Sequence, residues 1–136
     1  MTIGQFFGPA GLGFLSFLLV DLFWLGFAAK KIYDKYIGGL LRENFLTTPA
    51  AVFYVLYVLG VTYFVVRPAL ENGSLLQALG NGALLGGFAY MTYELTNYAV
   101  LKDWPFGIVI IDIAWGMFLT AAVSGLTFVL AERFVL

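Results

Sequence analysis

The sequence predicts an all-α integral membrane protein, built as an up-down bundle of four transmembrane helices. Of its 136 residues, 62% are hydrophobic and only 11% are charged, whereas a soluble domain is about half apolar and a quarter charged. A chain this short has too little polar surface to cover such an excess in water. Four long apolar segments, separated by short polar ones, each approach the roughly 20 residues that span a bilayer. We therefore expect one transmembrane domain over residues 1–136.

The first two predicted spans cover about residues 12–29 and 49–67. Residues 30–47 separate them as a basic loop. Thr48 can cap the second span, and Pro49 can occupy its first helical position, where a missing N–H group costs nothing. The two spans are therefore expected to form a helical hairpin around the charged loop.

The third and fourth predicted spans cover about residues 75–98 and 106–131. A tight turn containing Asn72 and Gly73 precedes the third span, because this residue pair favours turn conformations. Pro105 marks the start of the fourth span. The second half of the chain is thus expected to form another helical hairpin.

The distribution of basic residues predicts how the spans are oriented in the membrane. Because cytoplasmic loops carry an excess of Lys and Arg, we expect the first and third loops in the cytoplasm and both termini outside. The first span has no basic residue before it and contains Asp21, so we expect a retained span and not a cleaved signal peptide. Five of the seven basic residues lie in the two predicted cytoplasmic loops: Lys30, Lys31, Lys35, Arg42 and Lys102.

The composition excludes several classes of function. The sequence contains no cysteine and no histidine, and its net charge is −1. Without cysteine, the protein cannot form disulfides or use thiolate chemistry. Without histidine, it does not have the commonest metal ligand and general base. We expect no metal and no cofactor, and no nucleic-acid partner, since nucleic-acid binding needs a basic patch.

Three acidic residues interrupt the apolar segments without an adjacent basic residue: Asp21, Glu94 and Asp112. A charge at this depth costs several kcal/mol, about 3 by insertion scales. Counted at 1.5 Å per residue from the ends of their spans, all three lie about 10–14 Å from the same membrane face. This common depth predicts a shared site in the cytoplasmic half of the bundle.

Each of these acids has a hydrogen-bonding residue three positions later, on the same face of its helix. Trp24 follows Asp21, Asn97 follows Glu94, and the fourth span repeats the pattern. The second span is expected to contribute a phenol, from Tyr57. The predicted ligand- or ion-binding site comprises Asp21, Trp24, Tyr57, Glu94, Asn97, Asp112 and Trp115.

Small and hydroxyl-bearing residues mark the predicted helix contacts. Gly82 and Gly86 form a GxxxG pattern on the third span, and Gly116, Thr120 and Ser124 recur every four residues on the fourth. Small residues let membrane helices approach closely, and hydroxyl groups can hydrogen-bond across the contact. These two faces are expected to pack near the acids.

Four stretches of the sequence form a recognisable pattern: VDLFWLG at 20–26, YELTN at 93–97, LKDWP at 101–105 and IDIAWG at 111–116. They resemble the pattern of a family of small four-span bacterial membrane proteins of unknown function. The resemblance covers almost the whole chain and implies an integral membrane location and four helices, but no established activity. The family pattern usually has Asp where Glu94 stands, so the carboxylic acid is kept.

Binding or transport of a proton, a cation or a small cationic solute is the function that the residues favour. Acids without a counter-charge, lined by aromatic rings, suit a cationic guest. Two other functions stay open: an acid-type enzyme, cyclase or isomerase-like, acting on an isoprenoid or lipid-soluble substrate, and an accessory or ligand-binding subunit of a larger membrane complex or homo-oligomer. A purely structural role, in which protonated carboxyl groups bridge helices, also stays open.

Overall fold

The computed structural model describes all residues 1–136, and every regular element in it is helical. Thr2 caps the first helix, since its side chain accepts a hydrogen bond from the Gln5 N–H group and Gln5 returns one to Thr2, which completes a capping box. The first long helix, Ile3–Leu40, consists of α1 (Ile3–Trp24), a π-helical turn (Leu25–Ala29), α2 (Lys30–Ile37) and a 3₁₀ turn (Gly38–Leu40).

The second long helix, Thr47–Asn72, consists of α3 (Thr47–Val61), a π-helical turn (Thr62–Val66) and α4 (Arg67–Asn72). Gly73 ends it in the left-handed region, at φ 62°, a conformation that glycine adopts without steric cost. The next residue, Ser74, caps α5 by accepting a hydrogen bond from the Gln77 N–H group.

The helices α5 (Leu75–Val100) and α6 (Phe106–Phe134) form the closest pair. A Cβ atom added to Gly86 would collide with the Gly116 carbonyl oxygen, and one added to Gly82 would lie 2.8 Å from the Thr120 carbonyl oxygen. The GxxxG pattern therefore lies at a true backbone contact, where any side chain would separate the helices.

The first long helix follows α6 along its whole length. Gly8 lies against Val135 at one end, and Tyr36 lies against Gly107 at the other. Because early residues meet late ones, this pair is antiparallel. The helix α3 approaches mainly α1, where Phe17 and Val58 share a buried apolar cluster with two residues of α6.

The basic segment predicted as a loop over 30–47 is shorter in the structure. The first helix continues through Lys30–Ile37 and a 3₁₀ turn before it ends, because residues 30–37 contain neither glycine nor proline. Within the predicted loop, only residues 41–46 are without helical structure. This extension decides the position of Tyr33 and therefore matters for the site.

Three of the four long helices are long and apolar enough to cross a membrane: Ile3–Leu40, Thr47–Asn72 and Phe106–Phe134. Large apolar side chains cover their outer surfaces; Leu19 is 66% exposed and Phe118 is 61% exposed, as expected for a chain surrounded by lipid. The 26-residue helix α5 is long enough but less apolar, because it carries glycines and polar residues such as Gln77 and Asn81. An all-helical membrane protein is confirmed, and the fourth span stays a prediction.

Candidate functional site

Asp21 lies in the last turn of α1 and is only 8% exposed. Its Oδ2 atom accepts a hydrogen bond from the Tyr54 hydroxyl group of α3. Phe17, one helical turn before Asp21, packs edge-on against the Tyr54 ring with the ring centroids 4.9 Å apart, which holds the tyrosine in place. The partner of this acid therefore comes from another helix and not from Trp24.

Asp112 lies on α6 and is 6% exposed. Its Oδ1 atom accepts a hydrogen bond from the Tyr33 hydroxyl group of α2. Tyr33 reaches it because α2 runs close to the start of α6, where a Cβ atom added to Gly107 would lie 2.5 Å from the Tyr36 ring. A glycine at this crossing thus allows the approach that places the Tyr33 hydroxyl at the carboxyl group.

Glu94 lies on α5 and is fully buried. The Trp104 indole N–H group donates a hydrogen bond of 2.8 Å to its Oε2 atom. Trp104 belongs to the short connector between α5 and α6, where Asp103 has a positive φ of 59°. The Oε1 atom of Glu94 has no hydrogen-bond donor among the protein groups around it.

The Glu94 and Asp112 carboxyl groups are neighbours that interact with each other, although no hydrogen bond joins them. Neither carboxyl group forms an ion pair, since the two ion pairs in the structure both involve Glu71 at the opposite end of the bundle. Two adjacent carboxylates cannot both be ionised at low cost in a dry site. Such a pair favours a form in which one of the two carboxyl groups carries a proton.

The aromatic and amide residues of the predicted site have other partners. Trp24 and Trp115 stack on each other, with centroids 4.4 Å apart and planes at 14°, and the Trp24 indole also lies beside the Tyr33 hydroxyl group. Asn97 is half-buried beside the Tyr93 side chain. None of these three predicted residues donates a hydrogen bond to the acid three positions before it.

Tyr57, the phenol predicted for the second span, lies further from the carboxyl groups. Its hydroxyl group is hydrogen-bonded to Thr120 Oγ1 at 2.7 Å. Tyr90 on α5 is near both acids, since it interacts electrostatically with Asp21 and with Asp112. Its ring occupies the space above Gly116, where a Cβ atom would overlap it.

The structure thus brings Glu94 and Asp112 together and leaves Asp21 in the same region with a separate partner. No group of three acidic side chains is placed to hold a metal ion. Sequence reasoning missed Trp104, Tyr33 and Tyr54 as hydrogen-bond donors. In the sequence, the hydroxyl or indole N–H group of these aromatic residues is their only distinguishing feature. Tyrosines and tryptophans at the membrane interface have the same feature, so it could not identify the donors.

A line of buried hydroxyl groups continues along α6 from the acids. Thr120, Ser124 and Thr127 are all buried and recur at helical spacing after Asp112. The hydroxyl oxygens of Ser124 and Thr127, together with that of Ser16 on α1, have no hydrogen-bond partner in the protein. Buried polar groups of this kind are commonly bridged by internal water molecules.

Comparison with known proteins identifies a family but no activity. No curated protein and no solved structure matches the chain. The family described as "Predicted membrane protein (DUF2177)" matches residues 11–129, a stretch that includes all three buried acids. The chain therefore belongs to this family of predicted membrane proteins of unknown function, which confirms the resemblance seen in its sequence.

Proposed function

We propose that this protein binds and conducts protons in the inner membrane, with Glu94 and Asp112 as the proton-binding pair. The observation that carries the proposal is the adjacency of two buried carboxyl groups without a basic residue. Ionisable residues inside a membrane mark ion pathways and proton relays more often than other sites. The sequence favours binding or transport of a proton, a cation or a small cationic solute, and the proposal selects the proton.

The two hydrogen-bond donors around the pair suit a site that both gains and loses a proton. We expect the bound proton to sit on Glu94 Oε1, which has no hydrogen-bond partner in the protein, beside Asp112. After that proton leaves, the Trp104 N–H group and the Tyr33 O–H group still donate to the two carboxyl groups. Hydrogen bonds to the charged form stabilise it, so the pair can cycle without rearranging its neighbours.

The buried hydroxyl line offers a route away from the pair. Asp112 and Thr127 are 15 residues apart on α6, which corresponds to about 22 Å along the helix. This length covers most of the roughly 30 Å hydrocarbon core. Hydroxyl groups such as that of Ser124, which has no protein partner, can pass protons through bridging water molecules.

We further propose that all four long helices cross the membrane in an up-down bundle with both termini outside. The low hydropathy of α5 fits an interior helix, because its glycine face packs against α6 and its acid is hydrogen-bonded inside the bundle. Polar residues on a spanning helix are tolerated when they face the bundle interior. The basic segment around Lys30 and Lys31 then faces the cytoplasm.

Proton flux into proteoliposomes tests the proposal. Liposomes with an internal pH-sensitive dye are given an inward-driving membrane potential, and the acidification rate is measured for the wild type, Glu94→Gln and Asp112→Asn. We expect the wild type to acidify the lumen and both variants to fall to the rate of protein-free liposomes. The matched control is Glu132→Gln, since Glu132 is an exposed acid on the same helix as Asp112.

Size-exclusion profiles and helical circular dichroism establish that each variant is folded before flux is compared. A wild-type rate no faster than protein-free liposomes contradicts the proposal. So does an unchanged rate in folded Glu94→Gln, because that protein has lost the proton-binding carboxyl group.

A further inference from the structure

A cavity of about 580 Å³ opens between the first and second long helices. It lies beside the acids and outside the Glu94–Asp112 pair. Its volume falls within the range of about 300–1,000 Å³ that is typical of small-molecule sites. Its walls are mainly apolar, with Leu25 and Ala29 on one side and Leu46 and Ala50 on the other.

Two tyrosines of the cavity lining connect it to the buried acids. Tyr33 and Tyr54 both line the cavity, and their hydroxyl groups donate to Asp112 and Asp21. A phenol has one proton to donate. Both hydroxyl protons are already used in hydrogen bonds to carboxyl groups. Each hydroxyl oxygen can therefore only accept a hydrogen bond from a ligand. A ligand head group that meets these tyrosines must therefore be a hydrogen-bond donor.

The charges around the cavity give no preference for an anion. Lys30 and Arg42 are balanced by Asp34 and Glu43 among the lining residues. Deeper in the protein, the nearest ionisable groups behind the tyrosines are acids without basic partners. Aromatic faces and uncompensated acids both attract cations, so the polar end of the cavity favours a positive charge.

We infer that this cavity binds a membrane-soluble amine, with the apolar body of the ligand along the Leu25 and Ala50 walls and its ammonium group at the Tyr33 and Tyr54 oxygens. The inference deepens the proposed function by naming a cationic solute that would approach the proton-binding pair. Equilibrium binding of the amine requires no proton flux, so the two proposals can fail separately.

Four probes with the same eight-carbon chain test separately whether binding requires a positive charge and a hydrogen-bond donor. Octylamine carries a charged donor, octyltrimethylammonium a charge without a donor, octanol a donor without a charge, and octanoate the opposite charge. Binding of each probe to the full-length protein in lipid nanodiscs is measured by calorimetry, with empty nanodiscs as the blank. We expect octylamine to saturate one site and to bind at least about tenfold more tightly than the other three, the effect of one charge-assisted hydrogen bond.

Two variants locate the binding site. Ala50→Trp fills the cavity and is expected to abolish saturable octylamine binding, whereas the matched control Ala51→Trp places the same bulk on the exposed side of the same helix and should leave binding unchanged. Tyr54→Phe keeps the ring but removes one acceptor oxygen, and it should weaken octylamine binding by about tenfold. If Ala50→Trp does not fold, Tyr54→Phe alone decides.

Tighter binding of octanoate, equal binding of all four probes, absence of saturable binding or octylamine binding that is indifferent to Ala50→Trp and Tyr54→Phe would each overturn the inference. Glu94→Gln is expected to keep octylamine binding while it loses proton flux. Proton flux without octylamine binding refutes the cavity assignment alone, and octylamine binding without any proton flux refutes the proposed function alone.

Discussion

The Tyr33 hydroxyl group of α2 donates a hydrogen bond to the Asp112 carboxyl group of α6, across 79 residues of sequence. This contact exists because the first helix does not stop at the end of its apolar stretch but continues alongside the start of α6. The same tyrosine lines the cavity between the first two long helices. One residue therefore connects the cavity with the proposed proton-binding pair, and its hydrogen bond is the first feature to test.

Tyr33→Phe is expected to lower the stability of the protein by about 1–3 kcal/mol, the cost of leaving a buried acceptor without its donor. The comparison is Tyr36→Phe, since the Tyr36 hydroxyl group makes no hydrogen bond although its ring packs against Gly107. Unfolding in mixed detergent, followed by circular dichroism, measures both variants. Equal losses would mean that the Tyr33–Asp112 bond contributes nothing.

Gly86→Ala is expected to destabilise the protein by about 1–3 kcal/mol, because the new methyl group would overpack the contact with the Gly116 backbone. Gly80→Ala is its control, on the same helix with no atom within 4 Å of the new group. That control should be neutral or more stable by up to about 1 kcal/mol, owing to the higher helix propensity of alanine. Thermal unfolding of both variants gives the comparison, and a stable Gly86→Ala protein would refute the close backbone contact.

A protonated carboxylic acid is expected in the infrared spectrum of the folded protein near neutral pH. Its C=O stretching band should disappear in Glu94→Gln and should remain in Glu132→Gln, which changes an exposed acid. The physical reason is the proposed binding of one proton by the Glu94–Asp112 pair, in which neither carboxyl group has an ion-pair partner. A spectrum without such a band in the wild type would show that both carboxyl groups are ionised.

Ser124→Ala is expected to slow proton flux while leaving the stability of the protein unchanged or higher. The Ser124 hydroxyl oxygen has no partner in the protein, so its removal breaks no protein hydrogen bond, but it interrupts the proposed hydroxyl line along α6. Thr92→Ala serves as the control, because Thr92 is exposed on α5 and its hydroxyl group bonds only to the Phe88 carbonyl oxygen of its own helix. Flux that is equal in the two variants would exclude this route.

Much of the fold could be predicted from the sequence because its causes are local. In a bilayer, every backbone N–H and C=O group must find a partner within the protein, so long apolar segments become helices. The close contact at Gly82 and Gly86 was predictable for a similar reason, since the spacing of small residues along one helix defines a face. The same reasoning placed Glu94 and Asp112 at similar depth, because depth follows from residue count and the fixed helical rise.

The tertiary structure alone decided which residues meet. Helical periodicity assigned Trp24 and Trp115 to the acids on their own helices, yet the two rings stack on each other. The actual donors to the acids, Tyr33, Tyr54 and Trp104, come from other elements of the chain. A sequence determines the faces of a helix, but the rotation and axial shift of each helix against its neighbours depend on packing across the whole bundle, and those shifts select the hydrogen-bond partners.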